Sequence, residues 1–193
     1  LIPGTVLCAF IAADTKGAPI YAHERAGRFG RPIRVLKFRS MVADANDVEK
    51  YLSPEQIEEW HRERKVTNDP RITKLGRVLR KTSLDELPQI FQIFTGKMSI
   101  IGPRPALWNQ FDLIAERDKY GANDVRPGLT GWAQINGRDE LPIDVKARLD
   151  GEYVEKLSFL FDCKCFFGTI VSVLKHDGVV EGGTGRLEKE KKE

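Results

Sequence analysis

Ser83-Leu84-Asp85-Glu86-Leu87-Pro88-Gln89-Ile90-Phe91-Gln92-Ile93-Phe94 sets two adjacent carboxylates at a helix start, behind the cations Arg80 and Lys81, and follows them with apolar residues at helical spacing. Ser83 and Glu86 stand at the spacing of a capping box, in which serine and a glutamate three residues on satisfy free backbone N–H groups. That reading accounts for Glu86 but leaves Asp85 idle, beyond the modest gain of any carboxylate in a first helical turn. Pro88 blurs the start, because proline is at ease only in a first turn. Adjacent carboxylates among cations point instead to phosphate chemistry.

Working outward, the next cations are held stiffly. Gly102-Pro103-Arg104-Pro105 places one arginine between two prolines, and each proline keeps the residue before it extended, so Arg104 has a fixed aim. A planar guanidinium so aimed suits a phosphate. In Arg126-Pro127-Gly128-Leu129-Thr130-Gly131, Pro127 and Gly128 fit the central positions of a type II turn, with Arg126 at its corner.

The chain has 193 residues, 41% hydrophobic and 31% charged, enough for one domain with a real core. Its 31 basic and 28 acidic residues leave a net charge of +3, so no nucleic-acid footprint stands out. Cys8, Cys163 and Cys165 form neither a disulfide framework nor a zinc site, which points to a reduced, cytosolic environment. No repeat or internal linker interrupts the sequence.

Leu1 to Ala13 is almost wholly apolar but falls short of the roughly 20 residues a membrane-crossing helix needs. On its own it reads first as a core helix, with a signal-peptide remnant or half of a re-entrant membrane element as alternatives. Ile20-Tyr21-Ala22-His23 and Ile33-Arg34-Val35-Leu36-Lys37-Phe38 read as a small hairpin around Gly27-Arg28-Phe29-Gly30. It is rich in cations, of which Lys37 and Arg39 stand closest to chemistry. Ser53-Pro54-Glu55-Gln56 opens a capped helix expected to run to about Lys65, with Trp60 and His61 facing solvent. Asn68-Asp69-Pro70 turns into a short basic helix ending near Lys81.

Two apolar stripes remain: Leu87, Ile90, Phe91, Ile93 and Phe94, and then Phe159, Cys163, Phe166, Phe167, Ile170, Val171 and Leu174. Such stripes usually pack into a core, and that is the expectation. The alternative, given Lys164, Lys175 and His176 alongside, is helices lying on a membrane surface. Residues 179–193, ending in a charged run, read as a flexible tail.

The ordered set Lys37-Phe38-Arg39-Ser40-Met41, Ser83 to Pro88, Gly102 to Pro105, Arg126 to Gly131 and Ala133-Gln134-Ile135-Asn136-Gly137-Arg138 resembles the bacterial sugar transferases that are monotopic polyprenyl-phosphate phosphoglycosyl transferases. The resemblance implies an α+β, helix-dominated catalytic domain over residues 14–178, with a small β-hairpin and surface-lying amphipathic helices. It implies attachment to the cytoplasmic face of the bacterial inner membrane through an N-terminal re-entrant helix that breaks at a proline. Pro3 stands near that break, so residues 1–13 become the helix's C-terminal part and its incoming half is expected to be missing. The stretch from Met41 to Asp69 is longer than in the most compact members.

The reaction so implied moves a sugar-1-phosphate from a UDP-sugar to polyprenyl phosphate, releases UMP, and starts a surface glycan. Asp85 carries over as the nucleophile, since a carboxylate attacks phosphorus once cations neutralise the phosphate oxygens. Glu86 carries over as a Mg²⁺ ligand beside Asp85, or as a base toward the second substrate. Arg104 is assigned to the transferring phosphate and Arg126 to the nucleotide or product phosphate, with Lys37, Arg80 and Gln134 as further substrate contacts. Two other classes fit parts of the pattern: a nucleotide-sugar hydrolase that uses water as acceptor, and a non-catalytic membrane adaptor in which Ser83 to Glu86 only caps a helix.

Overall fold

The segments on either side of Gly27 pair as strands β1 (Ile20–Ala26) and β2 (Pro32–Phe38), antiparallel in a register from Ile20 opposite Phe38 to Ala26 opposite Pro32. The computed structural model describes residues 2–63, 66–137 and 141–175. At the hairpin tip Phe29 takes a left-handed conformation, and the tip docks on a distant loop: the Phe29 N–H donates to the Asn123 carbonyl and Arg28 Nε to the Asp124 carbonyl, both at 2.7 Å. On the far edge of β2 one side chain replaces a neighbouring strand. The Leu36 N–H donates to Gln92 Oε1 at 2.8 Å, and Gln92 Nε2 donates to the Arg34 carbonyl at 2.7 Å.

Helices make up most of the rest, so the fold is α+β and helix-dominated. They are α1 (Ile2–Thr15), α2 (Pro54–Glu63), α3 (Lys74–Lys81), α4 (Ile90–Phe94), α5 (Phe111–Asp118), α6 (Trp132–Ile135), α7 (Ile143–Glu155) and α8 (Phe159–Lys175). In α2 the box at its start forms in both directions, Gln56 N–H to Ser53 Oγ at 3.3 Å and Ser53 N–H to Gln56 Oε1 at 3.2 Å. His61 is exposed as expected, whereas Trp60 is half-buried. The loop after the hairpin is tied down by Arg71, which grips Asp69 through two nitrogens and donates a third bond to the Ala45 carbonyl.

Two short strands, β3 (Ser99–Ile101) and β4 (Gly128–Thr130), pair in parallel. Gly128 is therefore no turn residue: its φ is not positive, so the expected type II turn is absent. Glycine is required there for closeness. A Cβ on Gly128 would lie 2.2 Å from the Gly102 nitrogen, a backbone atom that cannot yield.

Behind these strands, Ile101, Tyr153 and Cys165 form one buried cluster, with Trp132, Ile135 and Phe161 against it. A second cluster of Ala26, Ala106, Leu113 and Ala147 joins the hairpin to α5 and α7. α1 buries Ile11 fully and leaves Phe10 exposed, and among the described residues no helix is long and apolar enough to cross a membrane.

The core expectation for the apolar stripes does not hold. In the first, Leu87, Ile90, Phe91 and Phe94 are exposed, Phe94 by 86%; in the second, Phe159 is 80% exposed and Phe166, Phe167, Ile170 and Val171 are open too. α8 buries a different side, through Cys165 and Phe161. Periodicity found an apolar face correctly but could not say what covers it. Lys65, Arg138, His176 and the tail over 179–193 lie outside the described residues, as do the side chains of Leu174 and Lys175.

Candidate active site

The acidic pair does not sit where a capping box would put it. Ser83 follows α3 directly and adopts a left-handed conformation, φ 56°, and its side chain makes no cap bond. A capping serine needs extended backbone, which a residue running straight out of a preceding helix lacks. From it a 3₁₀ helix, Leu84–Gln89, carries the pair, and its first closure is Glu86 N–H to Ser83 O at 3.2 Å. Pro88 is absorbed in this short helix before α4 begins.

Freed from capping, Glu86 turns to cations. Its Oε1 accepts from Lys37 Nζ at 2.8 Å and from Arg104 Nη2 at 2.6 Å, while Oε2 accepts from Arg104 Nη1 at 3.3 Å. Burial works against its charge, but the charges of Arg104 and Lys37 and the hydrogen bonds they donate outweigh that cost. They hold the Glu86 carboxyl well below the carboxylate range. Asp85 is treated differently. Lys37 Nζ stands 3.7 Å from Asp85 Oδ2, and burial, reinforced by the Glu86 charge, pushes the Asp85 carboxyl up against the pull of Lys37, Arg80 and Arg104. One carboxylate is thus locked in ion pairs, while its neighbour stands farther from its nearest cation and is the less stabilised anion of the two.

Each cation arrives from a different element. Lys37 comes from the end of β2, Arg80 from α3, where its Nε donates to Ser40 Oγ at 2.9 Å, and Arg104 from the segment after β3. The Arg104 side chain is 37% exposed, so its guanidinium presents a face to solvent while it grips Glu86. Lys37, Arg80 and Arg104 therefore stand around the pair.

Arg126 and Gln134 do not join them. Arg126 is exposed and its guanidinium makes no hydrogen bond or ion pair among the described residues. Gln134 is 7% exposed, faces Gly131, and leaves both amide atoms unpartnered among the described residues. Of the watched cations, Arg39 folds back instead to donate to the Ala18 carbonyl and lie over the Tyr21 ring.

Three residues beside this site escaped sequence reasoning: Gln89, Arg25 and His23. Arg25, Val35, Gln89 and Pro105 line a concavity around Lys37, Glu86 and Arg104. Gln89 is 3% exposed. Arg25 binds His23 Nδ1 at 3.2 Å, and burial, with Arg25 and Lys37 close by, lowers the His23 imidazole to about 4. A signal for two of them was present: Tyr21 pairs with Lys37 and Arg25 with Ile33, so strand alternation puts His23 and Arg25 on the face that carries Lys37.

The donor set suits a small hard cation. Two adjacent carboxylates, one of them loosely held, match Mg²⁺, which takes one or two carboxylates and completes its shell with phosphate oxygens and water. Among the described residues no group of three or more His, Cys, Asp or Glu could form a full protein cage.

The chain is similar to several named proteins over most of its length. The chain is 42% identical over 187 residues to the UDP-galactose-lipid carrier transferase of Erwinia amylovora, covering 92% of this chain and 38% of that protein. It is 40% identical over 165 residues to the undecaprenyl-phosphate galactose phosphotransferase of Salmonella typhimurium, covering 84% of this chain and 34% of that protein. The exopolysaccharide production protein ExoY of Rhizobium meliloti is 38% identical over 171 residues, which cover 87% of this chain and 75% of that protein. The chain thus spans little more than a third of the first two relatives. The sequence profile described as bacterial sugar transferase matches residues 1–176, and with these relatives it shows that the chain belongs to the bacterial sugar transferase family.

Proposed function

We propose that this chain is a phosphoglycosyl transferase that moves a sugar-1-phosphate from a UDP-sugar to polyprenyl phosphate on the cytoplasmic face of the bacterial inner membrane. The observation that carries the reading is the division of labour in the acidic pair: Glu86 is clamped by Lys37 and Arg104, while Asp85 beside it is left the looser anion. The names of the relatives, which specify a UDP-sugar or a lipid carrier, supply the substrates.

In this mechanism an Asp85 oxygen attacks the phosphorus bearing the sugar. The bond from that phosphorus to the bridging oxygen breaks, and UMP leaves with the electron pair. A phosphosugar joined to Asp85 remains until an oxygen of polyprenyl phosphate attacks the same phosphorus, restores the carboxylate and forms polyprenyl diphosphate-sugar. Arg104 and Lys37 balance the phosphate charge that would otherwise repel Asp85. Arg80 steadies the Asp85 side of the site. Glu86 keeps both cations in place. Mg²⁺, held by Asp85 and Glu86 with donor phosphate oxygens, would supply further charge neutralisation. Arg126, exposed and without a bond among the described residues, suits the nucleotide or product phosphate, and the Gln134 amide, unpartnered among the same residues, suits a substrate hydroxyl or carbonyl.

The lipid acceptor requires an apolar approach, and α4 starts one residue beyond the 3₁₀ helix that carries the pair. Its exposed Phe91 and Phe94, together with the open face of α8, would rest in the headgroup boundary. α1, with Val6 and Phe10 open, would be the returning arm of a re-entrant helix, and residues 14–178 the catalytic domain.

The test is UMP release by membrane-held protein across a panel of UDP-sugars, with and without undecaprenyl phosphate and Mg²⁺. Multiple turnovers that require lipid and metal are expected. Sustained release without lipid would make water the acceptor, and no release with any donor would leave only a membrane adaptor.

A further inference from the structure

Proline has no N–H, so Pro103 and Pro105 cannot tether the segment around Arg104 by donating. The segment is held by its carbonyls instead. The Pro103 carbonyl accepts from the Gly128 N–H at 2.9 Å and the Ala106 carbonyl from the Ala26 N–H at 3.0 Å. Between them, the Pro105 carbonyl accepts from Arg25 at 3.4 Å, and the Arg104 carbonyl from Arg117 Nη1 at 2.9 Å.

Arg117, on α5, is 3% exposed, and Asp150 of α7 fixes it by accepting from Nε at 2.8 Å and Nη2 at 2.5 Å, both on Oδ2. The other oxygen, Asp150 Oδ1, is buried with no partner among the described residues. A buried ion pair with an unmatched oxygen is a poor way to hold two helices together, because desolvation offsets the Coulombic gain. An apolar pair would join α5 to α7 at lower cost. It could not deliver a fixed N–H to the Arg104 carbonyl.

We propose that Arg117, clamped by Asp150, is the positioning residue that sets the aim of Arg104 at Glu86 and at the reacting phosphate. The inference rests on the transferase reading above. Arg117 touches no reacting atom and acts through the backbone of Arg104. Misplacing a group by about 1 Å can cost on the order of 100-fold in rate, so a loosened carbonyl is enough to be felt.

The test is a double-mutant cycle in the full chain held in nanodiscs. Arg117→Lys keeps the charge facing Asp150 but loses the planar fork. It is expected to lower kcat about tenfold or more with little change in KM for the UDP-sugar. In an Arg104→Ala background the same change should cost less than about twofold, although it lowers the melting temperature equally in both backgrounds. Equal losses in the two backgrounds would reduce Arg117 to a structural residue and overturn the proposal. Should Arg117→Lys fail to fold, Asp150→Asn, which keeps an acceptor of the same shape, completes the same cycle.

A second readout needs no turnover. In ¹⁵N-arginine-labelled protein the Arg104 guanidinium signals, identified by Arg104→Lys, should be resolved in the unsubstituted chain and averaged in Arg117→Lys. Unchanged signals would overturn the proposal. If the unsubstituted chain turned over no donor, the transferase reading would fall while this spectrum still decided whether Arg117 orders Arg104.

Discussion

Asp85 and Glu86 are neighbours in sequence with opposite surroundings, and single substitutions should separate their duties. Asp85→Asn is expected to abolish both UMP release and the transfer of label from a sugar-labelled donor onto protein; either activity at the unsubstituted rate would remove Asp85 as nucleophile. Glu86→Gln would have been mild had Glu86 served a capping box, because glutamine serves the box as well. With Lys37 and Arg104 both closing on its carboxylate, the neutral amide leaves two cations unbalanced, and turnover should fall by about 100-fold or more. Near-normal kinetics would show that those ion pairs are idle. His23 gives the pH dependence. Its folded pKa is lowered to about 4 from 6.5, so between those values the unfolded chain takes up the proton first. Stability contributed by neutral His23 is therefore whole above about 6.5 and is lost as pH falls toward about 4. The His23 ring signal should titrate near the lower value, and His23→Gln should flatten the fall in melting temperature over that window. A midpoint close to 6.5 would contradict the buried, cation-flanked setting.

Among the elements, α4 is too short and too exposed to be holding a core together. Replacing Phe91 and Phe94 by serine should leave the melting temperature nearly unchanged and weaken binding to vesicles by about tenfold or more, since each ring would lose an apolar partner. A flotation assay decides it; unaltered binding would assign the membrane contact to other faces. The elements also show where sequence reasoning reached and where it stopped. The hairpin was legible because two short segments rich in apolar residues flank the turn residues Gly27 and Gly30, and α2 because its cap is spelled out locally. The same three-residue spacing from Ser83 to Glu86 forms no box, because what precedes a residue decides whether it can be extended, and α3 ends with its C-cap Thr82 immediately before Ser83. β3 and β4 were hidden, since three-residue strands carry no periodicity and their pairing depends on Gly102 and Gly128 meeting across the fold. Lys37, Arg80 and Arg104 could be named in advance by charge and stiffness. Arg117 and Asp150 could not, because nothing in a sequence records that residues 33 positions apart share a buried bond.

For the molecule as a whole, the charged site and the apolar surfaces lie close together, through α4 directly following the acidic pair. On the proposed transferase reading, a water-soluble donor and a lipid-borne acceptor would then be served without either leaving its own phase. That arrangement carries a hazard, because open apolar faces beside a two-stranded ribbon invite chains to add to one another. The Gln92 carboxamide removes part of that invitation. By occupying the Leu36 N–H and the Arg34 carbonyl, it seals a stretch of the ribbon's outer rim with a side chain whose length and directionality mimic a peptide unit. The Leu36 amide should accordingly be among the slowest in the hairpin to exchange its hydrogen for deuterium, and Gln92→Leu should speed that exchange. The same change would turn a closed rim into a template, so the variant is expected to form β-rich assemblies at concentrations where the unsubstituted chain does not.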